Sequence, residues 1–308
     1  MHPQQSCYNH IVAKRQKKNG IKKVGIISKH NIASSADYLR KLVEEIKKFD
    51  KDILLDEYSA KTLGEKTSYD KAALLRRCDL VIVLGGDGTL LKAARAAGRS
   101  KQAMVAGVNM GHLGFLTGFT PQRFFSSLPR IFAGNFHKDE RFLLRVTMYR
   151  DGKKRYTTLA LNEAVINQGG FARLIKMMVE INQRQLAHYK ADGLIIATPT
   201  GSTGHALSAN GPIIHPRIEG FVLVPLCPAR LGVRPIVIPN DRQVVIKLET
   251  QWRAEKKPIV LTIDGQITIN LKRGDSLRIR TSSRKFTMIR MAGHNYYRML
   301  RQKLGWGE

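Results

Sequence analysis

Residues 79–98, DLVIVLGGDGTLLKAARAAG, decide the fold. The apolar run Leu80, Val81, Ile82, Val83, Leu84 has the length and composition of a buried strand, and Gly85-Gly86-Asp87-Gly88-Thr89 breaks it. Leu90, Leu91, Ala93, Ala94 and Ala97 then recur at helical spacing until Gly98 closes the run. A strand, a glycine turn and a helix in that order bring backbone amides and a helix N-terminus to a point where a phosphate can approach. Asp87 is out of place in a loop that attracts negative charge, and suggests chemistry on a hydroxyl or a metal ion. The plainer alternative is a tight turn with Asp87 as the helix N-cap.

Upstream, residues 24–28 (VGIIS) predict a first strand, and Leu39, Leu42, Val43, Ile46 and Phe49 a helix. Residues 53–55 predict a second strand, followed by a polar loop through Gly64 and a helix over 72–77. Downstream, 103–108 predict a strand ending in Asn109-Met110-Gly111-His112-Leu113-Gly114-Phe115-Leu116-Thr117. A helix then starts at Pro121 with Thr120 as cap, buries Phe124, Leu128 and Ile131, and ends near Gly134. This alternation predicts an α/β, Rossmann-like domain over 21–138 with a mostly parallel sheet. Ligands lie beyond the strand C-terminal ends of such sheets.

From Arg141 the period changes to that of strands: FLLRVTMY, LIKMMVEI, GLIIAT, FVLV, VVIKL, IVLTI, ITINL, LRIRT and FTMIR. Asp264-Gly265 is a tight-hairpin signal. The second part, 139–291, is therefore expected to be an antiparallel β-sandwich domain. Residues 296–306 predict a short amphipathic helix, within a tail, 292–308, that packs back on the first domain. Residues 1–20 form a basic extension without helix or strand period, expected to be mobile.

The 308 residues are 43% hydrophobic, which excludes disorder for most of the chain. No apolar run approaches the ~20 residues that span a bilayer, and the first residues lack a signal-peptide core, so a cytoplasmic location without a membrane partner is expected. Cys7, Cys78 and Cys227 have no metal-ligand or CxxC spacing and read as reduced bystanders; no protein-held metal is expected. The net charge of +28 is spread along the chain, and aromatics are 7% of residues, which favours a generally basic surface over a specific nucleic-acid site.

Two further stretches bear chemistry. Residues 192–208, DGLIIATPTGSTGHALS, run from a strand into a loop dense in Gly, Ser and Thr that offers amides and hydroxyls to a phosphorylated or polyhydroxylated ligand. Asn162-Glu163 pairs an amide with a carboxylate, suited to ribose hydroxyls, although a solvated strand end is the commoner fate of such a dipeptide.

Taken together, Gly-Gly-Asp-Gly-Thr, Asn-Met-Gly-His-Leu-Gly-Phe-Leu-Thr, Asn-Glu, Asp-Gly with Thr-Pro-Thr-Gly-Ser-Thr, Arg234-Pro235 and Ile263-Asp264-Gly265-Gln266 make the chain resemble a bacterial NAD kinase over about 22–300. The resemblance implies phosphoryl transfer from ATP, or in some members polyphosphate, to the 2′-hydroxyl of the adenosine ribose of NAD, giving NADP. It also implies Mg²⁺ or another divalent cation on the donor, and a homotetramer or dimer. Asp87 would be the catalytic carboxylate, with Gly88 beside it and Lys92 on the first helix turn. Asn162, Glu163, Lys190, Asp192, Thr203, Gly204, His205, Ala206, Leu207, Ser208 and Gln266 match NAD contacts. Phe115 matches an aromatic lining the nucleotide pocket, and Arg173 a basic side chain near the ligand.

The chain has no GxxxxGK[ST], so no P-loop lysine is available. It departs from the family at Gly204-His205, where Ala-Tyr is usual, at Gly118, where an acidic residue is usual, and at Pro228-Ala229, where Pro-His is usual. Diacylglycerol- and sphingosine-type lipid kinases share the Gly-Gly-Asp-Gly loop, but Asn-Glu, the long Thr/Ser loop and Asp-Gly-Gln favour the dinucleotide. A nucleic-acid-binding reading rests on the net charge alone.

Overall fold

The computed structural model describes residues 20–29, 33–97, 103–111, 114–168, 174–250, 259–293 and 295–305. Residues 1–19 of the basic extension, His112, Leu113 and Arg173 lie outside them. The first half runs β1 (Lys23–Ser28), α1 (Ala33–Lys47), β2 (Asp52–Leu55), α2 (Glu57–Leu63), α3 (Lys71–Arg77), β3 (Leu80–Leu84), α4 (Asp87–Ala96), β4 (Met104–Val108) and α5 (Pro121–Phe132). Its strands pair in parallel in the order β2-β1-β3-β4. Every residue of β3 is buried because both sheet faces are covered. Ile82 packs with Leu39, Leu42 and Ile46 of α1 and Phe124 and Leu128 of α5, whereas Val81 and Val83 pack with Leu74 of α3 and Leu90 and Ala94 of α4. That is why the run carries no polar alternation.

Three readings of this half need correcting. The polar stretch before Gly64 is the helix α2, capped by Asp56, whose carboxylate accepts from Ser59 N at 2.9 Å, and ended by Gly64 at φ 74°. With only Ser59 and Ala60 buried, it shows no apolar period. Helix α4 starts at Asp87, so Lys92 lies on its second turn and is exposed. Gly86, not Asp87, is the N-cap, and its carbonyl accepts from Thr89 N at 3.0 Å.

The second half continues with β5 (His137–Arg150), β6 (Lys153–Ala160), β7 (Glu163–Gln168), β8 (Ile175–Ile181), β9 (Arg184–Ala191), β10 (Gly193–Ala197), α6 (His205–Ser208), β11 (Gly220–Leu226), β12 (Ile236–Pro239), β13 (Gln243–Leu248), β14 (Ile259–Ile263), β15 (Ile267–Leu271), β16 (Ser276–Arg290) and α7 (Tyr296–Leu304). A six-stranded antiparallel sheet has the order β12-β11-β10-β7-β14-β15. The other strands extend the first sheet: β16 lies parallel to β4, with Met288 paired to Val105, and carries β13, β8 and β9 onward and β5 and β6 beside it, ten strands in all. The two sheets form a sandwich in which Leu144, Val146, Ile246 and Leu277 meet Ile166, Ile196, Leu223 and Leu261. The fold is thus α/β followed by antiparallel β, with one sheet common to both halves.

LRIRT and FTMIR belong to one strand, β16, with a register shift between Thr281 and Lys285. The strand runs read from the sequence pass over β6, β7, β9 and β12; β7 lies inside the six-stranded sheet between β10 and β14, whereas the other three are edge strands, and KKRYTTLA and RQLAHYKA carry the charge that edges tolerate. Asp264 and Gly265 form the β14–β15 turn with φ of 49° and 64°, the double positive φ of a type I′ turn. Helix α7 stops at Leu304 with Gly305 at φ 59° as cap, and its Tyr296 ring lies 5.0 Å from that of His215.

Candidate active site

Asp87 stands at the first position of α4 and turns its carboxylate away from the helix toward the loop after β4. Oδ2 accepts from Phe115 N at 2.8 Å, and Oδ1 accepts from Leu116 N and Thr117 N, each at 3.1 Å. Three consecutive amides therefore fix one carboxylate. Gly114 makes this approach possible: a Cβ there would lie 2.6 Å from Oδ2 and closer still to Cγ and Oδ1. Among the described residues Oδ2 accepts a bond from Phe115 N alone and retains lone-pair capacity for a hydroxyl.

A polar bridge joins this helix to the second half. Gly88 O accepts from Gln266 Nε2 at 2.8 Å, and Arg95 donates to Gln266 Oε1. Arg95 follows Gly88 by two helical turns on the same face of α4. Its other terminal nitrogen reaches Asp264 Oδ2 at 3.5 Å. Asp264 in turn accepts from the amides of Asn162 at 2.8 Å, Glu163 at 3.1 Å and Leu161 at 3.2 Å. Burial pushes the Asp264 carboxyl up, and the three amides and Arg95 counter this by favouring its ionised form.

The Asn162-Glu163 pair held by these bonds is the open end of the bridge. Glu163 is 6% exposed, and neither Asn162 Oδ1 nor Glu163 Oε2 has a hydrogen-bond partner among the described residues. Burial, and then the nearby charge of Asp264, push the Glu163 carboxyl up to about 8. A Cβ on Gly204 would lie 3.6 Å from Glu163 Oε2 and 3.9 Å from Asn162 Nδ2, so the Gly204 backbone faces both side chains. The loop bearing Gly204 is locked by Thr198, which donates through Oγ1 to Leu161 O at 2.6 Å and accepts from Gly201 N at 3.1 Å. Thr203 donates to Thr200 O at 3.3 Å, Ala206 is buried, Leu207 is half-buried, and His205 and Ser208 are exposed.

Behind the site, Asp139 bridges Arg141, at 2.7 Å, and Arg290, at 3.0 Å. Burial alone would raise the Asp139 carboxyl, but the hydrogen bonds and charges of Arg141 and Arg290 outweigh it and hold the group at about 2. Arg141 also donates to Thr200 Oγ1 at 3.2 Å. Arg290 fills the space a side chain on residue 118 would need, so Gly118 fits where an acid is usual. The guanidinium finds its countercharge in Asp139 instead.

The structure therefore gathers Asp87, Gly88, Phe115, Asn162, Glu163, Gly204 and Gln266, but not all of the expected set. Lys190 and Asp192 lie near the junction of β9 and β10, beside Gln168 and Ala229. In the β7–β10 pairing Glu163 sits opposite Ala197, at the other end of β10. Strand rise separates Asp192 from that end by roughly 16 Å. Arg95, Gly114, Asp139, Arg141, Thr198 and Arg290 were not singled out from the sequence. For Arg95 alone a sequence signal exists, its i+7 spacing from Gly88.

This layout, a glycine-loop α/β half bonded to a β half through a polar bridge, agrees with comparison to known proteins. Family profiles described as the ATP-NAD kinase N-terminal domain and the ATP-NAD kinase C-terminal domain match residues 24–136 and 161–291. The chain belongs to the NAD kinase family. It is 39% identical to the NAD kinase of Geotalea daltonii over 288 residues, 94% of this chain and all of that protein. It is 44% identical to the NAD kinase of Magnetococcus marinus over 230 residues, 75% of this chain and 74% of that one. Among solved structures, yeast NADH kinase complexed with NADH superposes with a TM-score of 0.84 at 23% identity, covering 94% of this chain and 89% of that chain. An NAD kinase from Archaeoglobus fulgidus in complex with ATP gives 0.69 at 24% identity, covering 92% and 98%.

Proposed function

We propose that the chain is an ATP-dependent NAD kinase whose acceptor is the 2′-hydroxyl of the adenosine ribose. The supporting observation is the Asn162-Glu163 pair: its buried Oδ1 and Oε2 have no hydrogen-bond partner among the described residues, its side chains face Gly204, and it is tied through Asp264, Arg95 and Gln266 to the helix that begins at Asp87. An unsatisfied buried polar pair costs stability unless a ligand completes it, and ribose hydroxyls both donate and accept.

In this reading Asp87 Oδ2 accepts the hydrogen bond of the ribose hydroxyl and takes its proton as the new oxygen–phosphorus bond forms. The bond from the terminal phosphorus to the bridging oxygen of ATP breaks, and ADP leaves with that electron pair. Because the transition state is loose, positioning and charge neutralisation supply most of the catalysis. The N-terminal amides of α4 offer positive partial charge to the phosphates. Among the described residues no three His, Cys, Asp or Glu side chains are placed to hold a metal ion. A divalent cation would enter on the phosphate chain of ATP, where it neutralises charge.

Lys190 and Asp192 lie at the end of β10 remote from this cleft, and we assign them to the cleft of a neighbouring copy in a homo-oligomer. Arg173 is assigned to NAD on the resemblance alone. A cytoplasmic location belongs to the same proposal: among the described residues no helix is long and apolar enough to cross a membrane.

The test is NADP formation from NAD, ATP and Mg²⁺ by wild type and Asp87→Asn. The variant should fold with an unchanged circular dichroism spectrum and lose at least about 10³-fold in kcat, within the range expected when a group that takes a proton in the transition state is lost. Wild-type turnover in the folded variant removes Asp87 from the mechanism.

A further inference from the structure

The strand order β2-β1-β3-β4 has its switch point between β1 and β3: after β1 the next strand is laid to one side, and after β3 to the other. In doubly wound sheets the crevice beyond the C-terminal ends of two such strands holds the ligand. The glycine loop, residues 85–88, borders this crevice on the β3 side, and Lys29, the residue after β1, borders it on the other. The chain has no P-loop lysine to meet the phosphates of a donor there.

The β1–β3 ladder fixes where Lys29 points. Ser28 pairs with Leu84, and Lys29 N donates to Leu84 O at 2.9 Å, so Lys29 stands beside Gly85. Ile27 packs with Leu90 and Ala94 of α4, and a Cβ on Gly25 would lie 3.1 Å from Cys78 Sγ and from Val81 Cγ2. Alternation puts residues 25, 27 and 29 on that same face, the one covered by α3 and α4. Contact geometry agrees, since a Cβ on Gly85 would lie 3.3 Å from Lys29 Cβ. With only hydrogen at position 85, the flexible four-carbon stem of Lys29 can cross toward the loop.

What it reaches is a row of open donors. Gly85 N donates to Val108 O and Thr89 N to Gly86 O, each at 3.0 Å. The amides of Gly86, Asp87 and Gly88 between them have no backbone acceptor among the described residues. Three consecutive open N–H groups at a helix start favour an anion. The Asp87 carboxylate does not fill them, because it is turned to the amides of Phe115, Leu116 and Thr117. Lys29 is exposed and has no ion pair among the described residues. Other cations of α4 are worse placed. Arg95 is held by Gln266 and Asp264. Lys92 follows Asp87 by five residues, roughly 7.5 Å along the helix axis.

We propose that Lys29 binds the phosphate chain of the ATP donor, its ammonium set over the open amides of residues 86–88. The inference rests on the kinase reading and adds to it the cation that meets the donor. Held there, Lys29 offsets the charge that passes to ADP as the terminal phosphoryl group leaves.

The test compares wild type, Lys29→Met, Lys29→Arg and a control, Lys47→Met. Lys47 is an exposed residue that the 15-residue α1 carries to the opposite end of the sheet. KM for ATP and for NAD is read from NADP formation with Mg²⁺, and Kd for ATP with Mg²⁺ from titration calorimetry of the full chain without NAD. Methionine keeps the stem and removes the charge, so Lys29→Met should retain its thermal midpoint. It should raise both KM and Kd for ATP at least about tenfold, the scale of one lost charged hydrogen bond, with KM for NAD within about twofold of wild type. Lys29→Arg should recover most of the loss, and Lys47→Met should match wild type. Wild-type ATP affinity in Lys29→Met, an equal loss in Lys47→Met, no recovery in Lys29→Arg, or a KM for NAD raised as much as that for ATP each overturn the proposal. A wild-type chain that binds ATP through Lys29 but forms no NADP would instead remove the kinase reading and leave the phosphate contact standing.

Discussion

Gly114→Ala tests the geometry that holds the acceptor-facing carboxylate. A Cβ at 114 would sit 2.6 Å from Asp87 Oδ2 and nearer to Cγ and Oδ1, where ordinary contact requires 3.4 Å or more. The aspartate side chain can rotate but not shorten, so the carboxylate must shift by roughly 1 Å or more, a misplacement that can cost about 10²-fold in rate. The amides of Phe115, Leu116 and Thr117 lose their acceptor, and because the site opens to solvent, water replaces part of what is lost. The net stability change should be about 1–2 kcal/mol, a shift of a few degrees in Tm for a chain of this size. The assay is steady-state NADP formation at saturating ATP. The expected outcome is kcat lowered about 100-fold or more with KM for NAD near wild type, because Asn162 and Glu163 are untouched. Gly111→Ala, whose Cβ would meet nothing within 4 Å, serves as the control and should behave as wild type. A Gly114→Ala enzyme with kcat within twofold of wild type would refute the claim that the 115–117 amides set the position of Asp87.

Two other perturbations bear on the bridge and its open end. Arg95→Met removes the donor to Gln266 and the cation 3.5 Å from Asp264; it should raise KM for NAD and lower stability by about 1–3 kcal/mol, with Arg95→Lys restoring part of the KM, and unchanged KM in the Met variant would show that the bridge does not position the acceptor site. Glu163 holds its proton up to about 8 in the folded chain against 4.5 ordinarily. Its contribution to the stability of the ligand-free protein is therefore complete below pH 4.5 and is lost as pH rises toward 8. Thermal unfolding of wild type should decline across that window relative to Glu163→Gln, and a constant Tm difference between the two from pH 5 to 8 would contradict the burial argument.

How much of this was legible in the sequence follows from what each signal encodes. The β3 run and the α5 pattern of Phe124, Leu128 and Ile131 were readable because burial on a fixed face leaves a period. α2 left none, since its two buried residues are Ser59 and Ala60. The edge strands β6 and β9 were hidden by the charges that keep an edge from pairing. In the site, Asp87 and Asn162-Glu163 stood out as residue types. Their partners did not, because a backbone amide at Phe115 or Leu161 has no sequence signature. Asp264 was read as a turn residue, which its φ of 49° bears out, yet the same side chain collects three amides from another strand end. Only chain tracing in three dimensions shows the second role.

The sharing of the first sheet has a consequence for how the chain is made. Val105 of β4 finds its neighbour in Met288 of β16, close to the end of the chain. During synthesis at about 5–20 residues per second, the open backbone of β4 waits on the order of 10–40 seconds for that partner. The glycine-loop half thus emerges early with an unpaired parallel edge, the kind of surface that recruits foreign strands. A ribosome-bound chain truncated before residue 276 should consequently need chaperone protection that the finished protein does not.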